Sequence, residues 1–214
     1  MKLYLTKTLT LYAVLSFGFC LFRELFSVGF VSCRARLLFY VVPLLVLFIN
    51  MLVQLKLEKD HEEKRNILFK ETLNLFTLYG LALVSLLLLS RRQYPASFQI
   101  HLINLVPFRG IVAFLTSSSP IVAFVNIGGN LIALAPMRLF IPFLFGKKVE
   151  SAGAFLLLIV ALVVAVESLQ LLIRVGSADV DDLILNTLGA FIAYMAYRKY
   201  IEPRVEGLKP SPAP

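Results

Sequence analysis

The sequence predicts an all-α bundle of about six transmembrane helices with both termini in the cytoplasm. The 214 residues are 59% hydrophobic and the mean hydropathy is +0.84, which is far more apolar than a soluble domain of this size. Apolar runs of about 20 residues recur, and each is long enough to cross the hydrocarbon core of a bilayer. No alternating segment is long enough to indicate a membrane barrel, so helices that satisfy their own backbone groups are expected.

Six apolar stretches are the predicted spans: residues 9–30, 37–55, 72–90, 121–145, 152–174 and 182–200. The fourth contains Pro136 and Pro142 and is expected to be a broken helix. The second and third are separated by a charged linker, residues 56–70, in which opposite charges three and four apart favour a solvated helical extension. The expected organisation is an N-terminal transmembrane region (1–92), a second membrane domain (93–200) and a disordered cytoplasmic tail (201–214), whose end is rich in proline.

The positions of the basic residues predict the orientation. With the N-terminus inside, every lysine falls on the cytoplasmic side, as the positive-inside rule requires. The loop of residues 104–108 and the hinge of residues 179–182 are then both expected on the outer face. The formal net charge of +8 is assigned to orientation rather than to nucleic-acid binding, because the basic residues do not gather on one face with stacking aromatics.

A glutamate inside the fifth span, Glu167, is the most informative residue of the chain. A charged side chain in a transmembrane helix costs roughly 2.5–3.5 kcal/mol at mid-depth and is typical of functional sites. At about 100° per residue, Glu167, Gln170 and Arg174 lie on one helical stripe, with Glu167 on the order of 10 Å below Arg174. Arg138 in the fourth span is the expected ion-pair partner of Glu167.

The sixth span carries a complementary stripe. Asp182, Asn186 and Gly189 are four and three residues apart, and small residues allow helix backbones to approach closely. The last two spans are therefore predicted to form a tight antiparallel hairpin with Glu167, Gln170 and Asn186 between them. Asp179 is expected to cap the sixth helix, where the helix dipole favours negative charge.

The stretch before the fourth span, residues 93–120, is expected to be irregular. Pro107 removes a backbone donor, and Asn104 is suited to a side-chain turn. We expect this segment to lie on the membrane surface or to dip into it.

Three interpretations of the polar residues remain open. The first is structural, with Arg174 pairing with the aspartates and Asp179 as a cap. The second is a binding pocket for a polar head group or a peptide. The third is catalysis, with Glu167 as an acid or base and Asp179, Asp181 and Asp182 holding a cation. No nucleophile with an adjacent histidine, no phosphate-binding loop and no Cys/His metal spacing is visible, so no cofactor is expected and enzymatic activity stays undecided.

Four short motifs occur in a fixed order: Asn104-x-x-Pro107-Phe108, Asn130 followed by Pro136, Glu167-x-x-Gln170, and Gly176-x-x-Asp179-x-Asp181-Asp182-x-x-x-Asn186-Thr187-x-Gly189. Together they resemble the VanZ-like family, named for a protein associated with low-level teicoplanin resistance. The family usually has Leu-Gly after the proline of the second motif, where this chain has Met137-Arg138.

The resemblance implies a multi-pass protein of a bacterial plasma membrane linked to glycopeptide susceptibility or envelope biology, and it supplies no mechanism. The implied partner is a membrane lipid, a lipid-linked wall precursor or a glycopeptide antibiotic. An intramembrane enzyme acting on a lipid head group and a membrane scaffold are the alternatives, and the oligomeric state is open. The expected pocket residues are Asn104, Asn130, Glu167, Gln170, Arg174, Asp179, Asp181, Asp182 and Asn186.

Overall fold

The protein is helical throughout almost all of the chain that its computed structural model describes, which is residues 10–19, 22, 33–89, 103–145, 151–175 and 177–205. The helices are α1 (Thr10–Phe19), α2 (Cys33–Leu57), α3 (His61–Val84), α4 (Arg109–Ser117), α5 (Pro120–Ala133), α6 (Met137–Phe145), α7 (Ala152–Leu172), α8 (Val180–Ala196) and α9 (Glu202–Val205). Two short strands, β1 (Ile103–Asn104) and β2 (Ala178–Asp179), pair in parallel. The prediction of an all-α fold is confirmed.

Four of the described helical segments are long and apolar enough to cross a membrane. They are Tyr40–Leu57, His61–Leu88, Pro120–Ile141 and Ala152–Leu172. Helix α1 is apolar but shorter, and residues 23–30 of the first predicted span lie outside the described residues. Helix α8 has 17 residues. The six-span count and the cytoplasmic location of the termini therefore stay predictions.

The chain divides into two compact units, the first holding α1–α3 and the second holding α4–α9. Residues 202–205 of the predicted tail form α9, and the remainder of that tail lies beyond the described part of the chain.

In the first unit, α2 and α3 form a helical hairpin. Its turn is residues 58–60, and Asp60 caps α3 by accepting a hydrogen bond from the Glu63 N–H at 2.9 Å. Residues 56–57 of the predicted charged linker end α2, and residues 61–70 begin α3. The backbone N–H groups of Asp60 and Lys59 donate to the Glu58 carboxylate and hold its pKa below the usual value.

Buried and half-buried polar side chains inside this hairpin pair with one another across it. Tyr40 and Ser85 hydroxyls lie 2.6 Å apart, and Gln54 Nε2 donates to Glu71 Oε1 at 3.0 Å. Such pairing is what an apolar surrounding requires, because water cannot satisfy these groups there.

In the second unit, the fourth predicted span is broken, as its sequence indicated. Helix α5 ends at Ala133, and α6 begins at Met137 after Pro136, which has no backbone donor. Backbone bonds of i to i−3 spacing carry the chain through the break, including Met137 N–H to Leu134 O at 3.1 Å.

Helix α8 packs against α5 at a point where the two backbones almost touch. A Cβ atom built on Gly189 would lie 1.7 Å from the backbone oxygen of Leu131. Helices α7 and α8 are antiparallel neighbours, with the Phe155 and Tyr194 rings stacked at 5.9 Å. The prediction that Gly189 allows close packing of α8 against α7 is wrong, because the helix that packs closely at Gly189 is α5.

Arg138 is almost fully buried, with 1% of its surface exposed. Its guanidinium carbon lies 4.3 Å from the ring centre of Tyr194, 4.9 Å from that of Tyr197 and 5.5 Å from that of Phe155. Desolvated cation–π contacts of this kind stabilise by about 2 kcal/mol or more.

The expected pairing of Arg138 with Glu167 is wrong. Glu167 contacts the backbone of Asp179 at the start of α8, whereas Arg138 contacts Tyr194 near its end. The helix rises about 22 Å between these two positions, which is beyond the reach of both side chains.

We expect Gly189→Ala to destabilise the second unit by about 3 kcal/mol, because only backbone movement relieves the contact with Leu131. The melting temperature of the purified protein in detergent measures this. Gly129→Ala, on α5, is the matched control, since nothing lies within 4 Å of its Cβ position and alanine favours a helix interior by about 1 kcal/mol. Equal melting temperatures for the two variants would contradict the close approach of α5 and α8.

Candidate functional site

The Asp181 carboxylate caps a helix that is remote from it in sequence. Oδ1 accepts the N–H of Phe108 at 2.5 Å, and Oδ2 accepts those of Gly110 and Ile111 at 2.7 and 3.1 Å. These are donors of the first turn of α4, whose own N-cap, Phe108, makes no side-chain capping bond. Because first-turn N–H groups have no partner within their helix, a buried carboxylate is well suited to them. Asp181 is 2% exposed.

Asp179 joins the same loop to the start of α8. Asn104 Nδ2 donates to Asp179 Oδ1 at 2.8 Å, and the N–H of Asp181 donates to the same oxygen at 2.9 Å. The predicted capping role of Asp179 on α8 is thus confirmed. Asn104 Oδ1 also accepts the N–H of Val106 at 3.2 Å, which is the side-chain turn expected from its sequence context.

Glu167 reaches this cluster from α7. Its Oε2 accepts the N–H of Asp179 at 3.2 Å. Asp179 and Asn104 are also partners in the β1–β2 pairing, so backbone and side chains hold the two segments together. Glu167 is half-buried, and its carboxylate faces the start of α8.

Asn130 adds α5 to the arrangement. Its Nδ2 donates to Asp182 Oδ1, and the Nδ2 of Asn186 donates to the backbone oxygen of Asp182 at 2.8 Å. These hydrogen bonds form two groups that meet at the adjacent residues Asp181 and Asp182, and we call the two groups together the polar network. Its members are Asn104, Asn130, Glu167, Asp179, Asp181, Asp182 and Asn186.

The other two residues of the predicted pocket lie differently. Gln170 is buried on α7, one turn beyond Glu167, with 1% of its surface exposed. Arg174 lies past the end of α7, in a left-handed conformation with φ of 60°, and is exposed. The predicted stripe therefore loses Arg174, because the helix ends at Leu172.

A Schellman motif ends α7 around Arg174. Val175 N–H donates to Gln170 O at 3.0 Å, and Arg174 N–H donates to Leu171 O at 3.2 Å. Glycine usually occupies the left-handed position of this motif, and here arginine occupies it.

Gly110 is a residue of the site that the sequence did not reveal. A Cβ atom there would lie 3.0 Å from Asp179 Oδ2 and 3.0 Å from Asp181 Oδ2. Hydrogen bonds hold both carboxylates, that of Asp179 through Oδ1 and that of Asp181 through both oxygens, so a larger residue would push against groups with little freedom to move. The Arg109-Gly110 pair after Phe108 was the one available signal, since glycine at a helix start permits close approach.

The geometry gives no support to a cation at Asp179, Asp181 and Asp182. Within the described ranges, no group of three or more His, Cys, Asp or Glu side chains is arranged to hold a metal ion. Both oxygens of Asp181 already accept backbone N–H groups. What the arrangement can do chemically is accept hydrogen bonds and balance positive charge, because its four acidic side chains are hydrogen-bond acceptors when ionised.

Comparison with known proteins gives one result. A family model described as VanZ/LLP1 matches residues 76–201, which is more than half of the chain and includes the whole polar network. No curated protein and no solved structure gives a match.

We expect Asp181→Asn to loosen the start of α4. In the asparagine, an NH₂ group replaces one of the two accepting oxygens. Losing a hydrogen bond to a charged group costs about 2 kcal/mol, which corresponds to roughly 30-fold faster exchange of the backbone amide hydrogens. Hydrogen exchange of residues 108–112 in detergent measures it. Asp60→Asn at the cap of α3 is the matched control, since asparagine caps as well as aspartate. Unchanged exchange at 108–112 would contradict the cap.

We expect Arg174→Gly to raise the melting temperature, because a non-glycine residue in the left-handed region costs about 1 kcal/mol or more. Ile173→Gly, at φ of −91°, is the control and should lower it. A lower melting temperature for Arg174→Gly would instead indicate that the guanidinium makes a stabilising contact.

Proposed function

This chain belongs to the VanZ/LLP1 family, and on that premise we propose that it is a multi-pass protein of a bacterial plasma membrane whose polar network engages the polar part of a lipid or a lipid-linked wall precursor. Through this contact it lowers susceptibility to glycopeptides such as teicoplanin or maintains the envelope.

The observation that carries the proposal is the gathering of four acidic side chains from two apolar helices. Glu167 comes from α7, and Asp179, Asp181 and Asp182 stand at the start of α8. Ionisable residues within membrane helices are costly, and they are typical of binding sites and of ion or substrate pathways. Carboxylates accept hydrogen bonds, so the complementary ligand groups are the hydroxyl, amide and ammonium donors of head groups and peptide stems.

Apolar surface borders the network on the same loop. Leu105 is 75% exposed, Phe108 is 58% exposed and Val106 is 56% exposed. An amphiphile needs both surfaces, with acceptors for its polar group and apolar side chains beside its acyl chain. A lipid-linked precursor and the acyl tail of a lipoglycopeptide share this chemistry, and occupation of the site by one of them would change the amount of drug that reaches its target.

Glu167→Gln in a teicoplanin-susceptible bacterium that expresses the chain tests the proposal. Wild-type protein should raise the minimum inhibitory concentration of teicoplanin. The variant should lose most of that increase, because an amide donates where the carboxylate accepts. Glu62→Gln on α3 is the matched control, since its carboxylate makes an exposed ion pair with Arg65. The wild type and both variants are compared at equal amounts of the protein in the membrane fraction.

A variant Glu167→Gln that protects as well as the wild type would count against the network as the site. If the minimum inhibitory concentration is the same in cells with and without the chain, the protein has no role in teicoplanin susceptibility. Envelope maintenance would then be tested by measuring the levels of wall precursors.

A second candidate function is an intramembrane enzyme that acts on a lipid head group with Glu167 as general acid or base. The presence of a glutamate and three aspartates at one place favours it. Lipid and precursor profiles of the same strains separate the two candidates. A species that changes with the wild type and not with Glu167→Gln would indicate a reaction, and altered susceptibility with unchanged profiles would indicate binding.

A further inference from the structure

We propose that residues 103–119 are a re-entrant segment, whose loop of residues 105–108 lies within the bilayer beside acyl chains rather than on its surface. The occupant of the exposed apolar face of this segment is the lipid hydrocarbon. This inference concerns the depth of the loop and stands whether or not the polar network binds a ligand.

The first argument is the register of the helices around the loop. The first turn of α4 donates hydrogen bonds to Asp181, and Asn130 of α5 donates one to Asp182. Only two residues join α4 to α5, so the two helices run side by side in opposite directions. Helix α5 rises about 15 Å from Pro120 to Asn130, and nine-residue α4 covers about 12 Å. The loop before α4 therefore lies on the order of 10 Å below the turn that joins α4 and α5.

Helix α7 gives an independent measure of the same depth. Glu167 accepts a hydrogen bond from Asp179, the residue just before α8. Glu167 lies five residues before the end of α7 at Leu172, and the helix rises about 7 Å over that distance. Both α7 and the α5–α6 segment have the length and composition of membrane spans. Hence the start of α8 and the loop next to it lie inside the limits of the spans.

The second argument is the composition of the exposed surface. Side chains on α4 and on the first turns of α5 are exposed and apolar, with Leu115 at 65%, Ile121 at 68% and Phe124 at 75%. Water would be a poor surrounding for so much apolar surface, whereas acyl chains are a good one. The hydroxyl residues Thr116 to Ser119 end α4 and form the turn to α5, and they are suited to the membrane–water boundary. Arg109 is the only charged residue between 105 and 133, and its side chain is long enough to snorkel.

The third argument is the pairing of the loop backbone. Every backbone donor from Val106 to Val112 has a partner inside the protein, and Pro107 has no donor. Phe108, Gly110 and Ile111 share the Asp181 carboxylate, Arg109 N–H donates to Val106 O, and Val112 N–H donates to Phe108 O. Non-helical backbone at membrane depth is tolerated only when its polar groups are satisfied internally. A loop in water has no such requirement.

Tryptophan fluorescence measures the depth directly, because the chain contains no tryptophan. Phe108→Trp replaces an exposed aromatic residue with another one. Two variants serve as depth standards on α5. Ile132→Trp lies near the middle of the Pro120–Ile141 span, and Ile121→Trp lies at its start. Each protein is reconstituted into vesicles of phosphatidylcholine brominated either near the carbonyl end or near the methyl end of the acyl chain.

Because the loop lies on the order of 10 Å below the turn, we expect the ratio of methyl-end to carbonyl-end quenching for Phe108→Trp to fall between those of Ile132→Trp and Ile121→Trp, and to exceed that of Ile121→Trp at least twofold. Ile121→Trp itself should be quenched more strongly near the carbonyl end than near the methyl end. Leu105→Trp, at a 75% exposed position of the same loop, should repeat the result if Phe108→Trp does not fold. A loop tryptophan whose quenching ratio equals that of Ile121→Trp, or one that is not quenched at all, would overturn the proposal.

Discussion

The second unit depends on a single carboxylate, that of Asp181. Three backbone donors of the α4 start converge on its two oxygens, and the residue itself stands in the first turn of α8. One side chain thus satisfies the exposed donors of one helix while stabilising the N-terminus of another. Without it, three N–H groups at the start of α4 would lose their acceptor, and a buried donor left without a partner costs roughly 1–3 kcal/mol.

The concentration of negative charge is compatible with folding because two helix N-termini point at it. Helices α4 and α8 both begin at the polar network, and the partial positive charge at each start favours carboxylates. Asparagine amides from β1 and α5 donate to two of the aspartates. The positive charge of Arg138 lies away from the network, near the other end of α8, where the guanidinium contacts three aromatic rings. The network is therefore organised by backbone donors and amides, and it presents acceptors to whatever reaches it.

Several features of the site were predictable, since they follow from local rules. Asp179 as a cap, Asn104 as a side-chain turn and the break before Pro136 each depend on a few neighbouring residues. The small-residue stripe was also visible, but its partner was not. Gly189 would permit close approach of α5 or of α7, and nothing in the local sequence indicates which of the two helices packs there.

The errors at Arg174 and Arg138 come from two different local rules. Arg174 was placed on a helical stripe because periodicity extends a helix until something stops it, and the Schellman motif that ends α7 uses no glycine at its left-handed position. Arg138 was paired with Glu167 because charge complementarity is the obvious rule. The rings of Phe155, Tyr194 and Tyr197 satisfy the cation instead, and only packing brings those rings together.

The sequence by itself determined the chemistry of this protein: apolar helices, a membrane setting, the VanZ-like pattern of motifs and the acidic residues that interrupt the last helices. These are properties of composition and short-range spacing, and a chain carries them before it folds. The tertiary structure decided which of these residues meet. Asp181 reaches donors some 70 positions away in the chain, as its bond to Ile111 shows, and Asn130 reaches Asp182 across 52 positions. Contacts of that separation depend on how helices pack and in what register, and local spacing does not encode either.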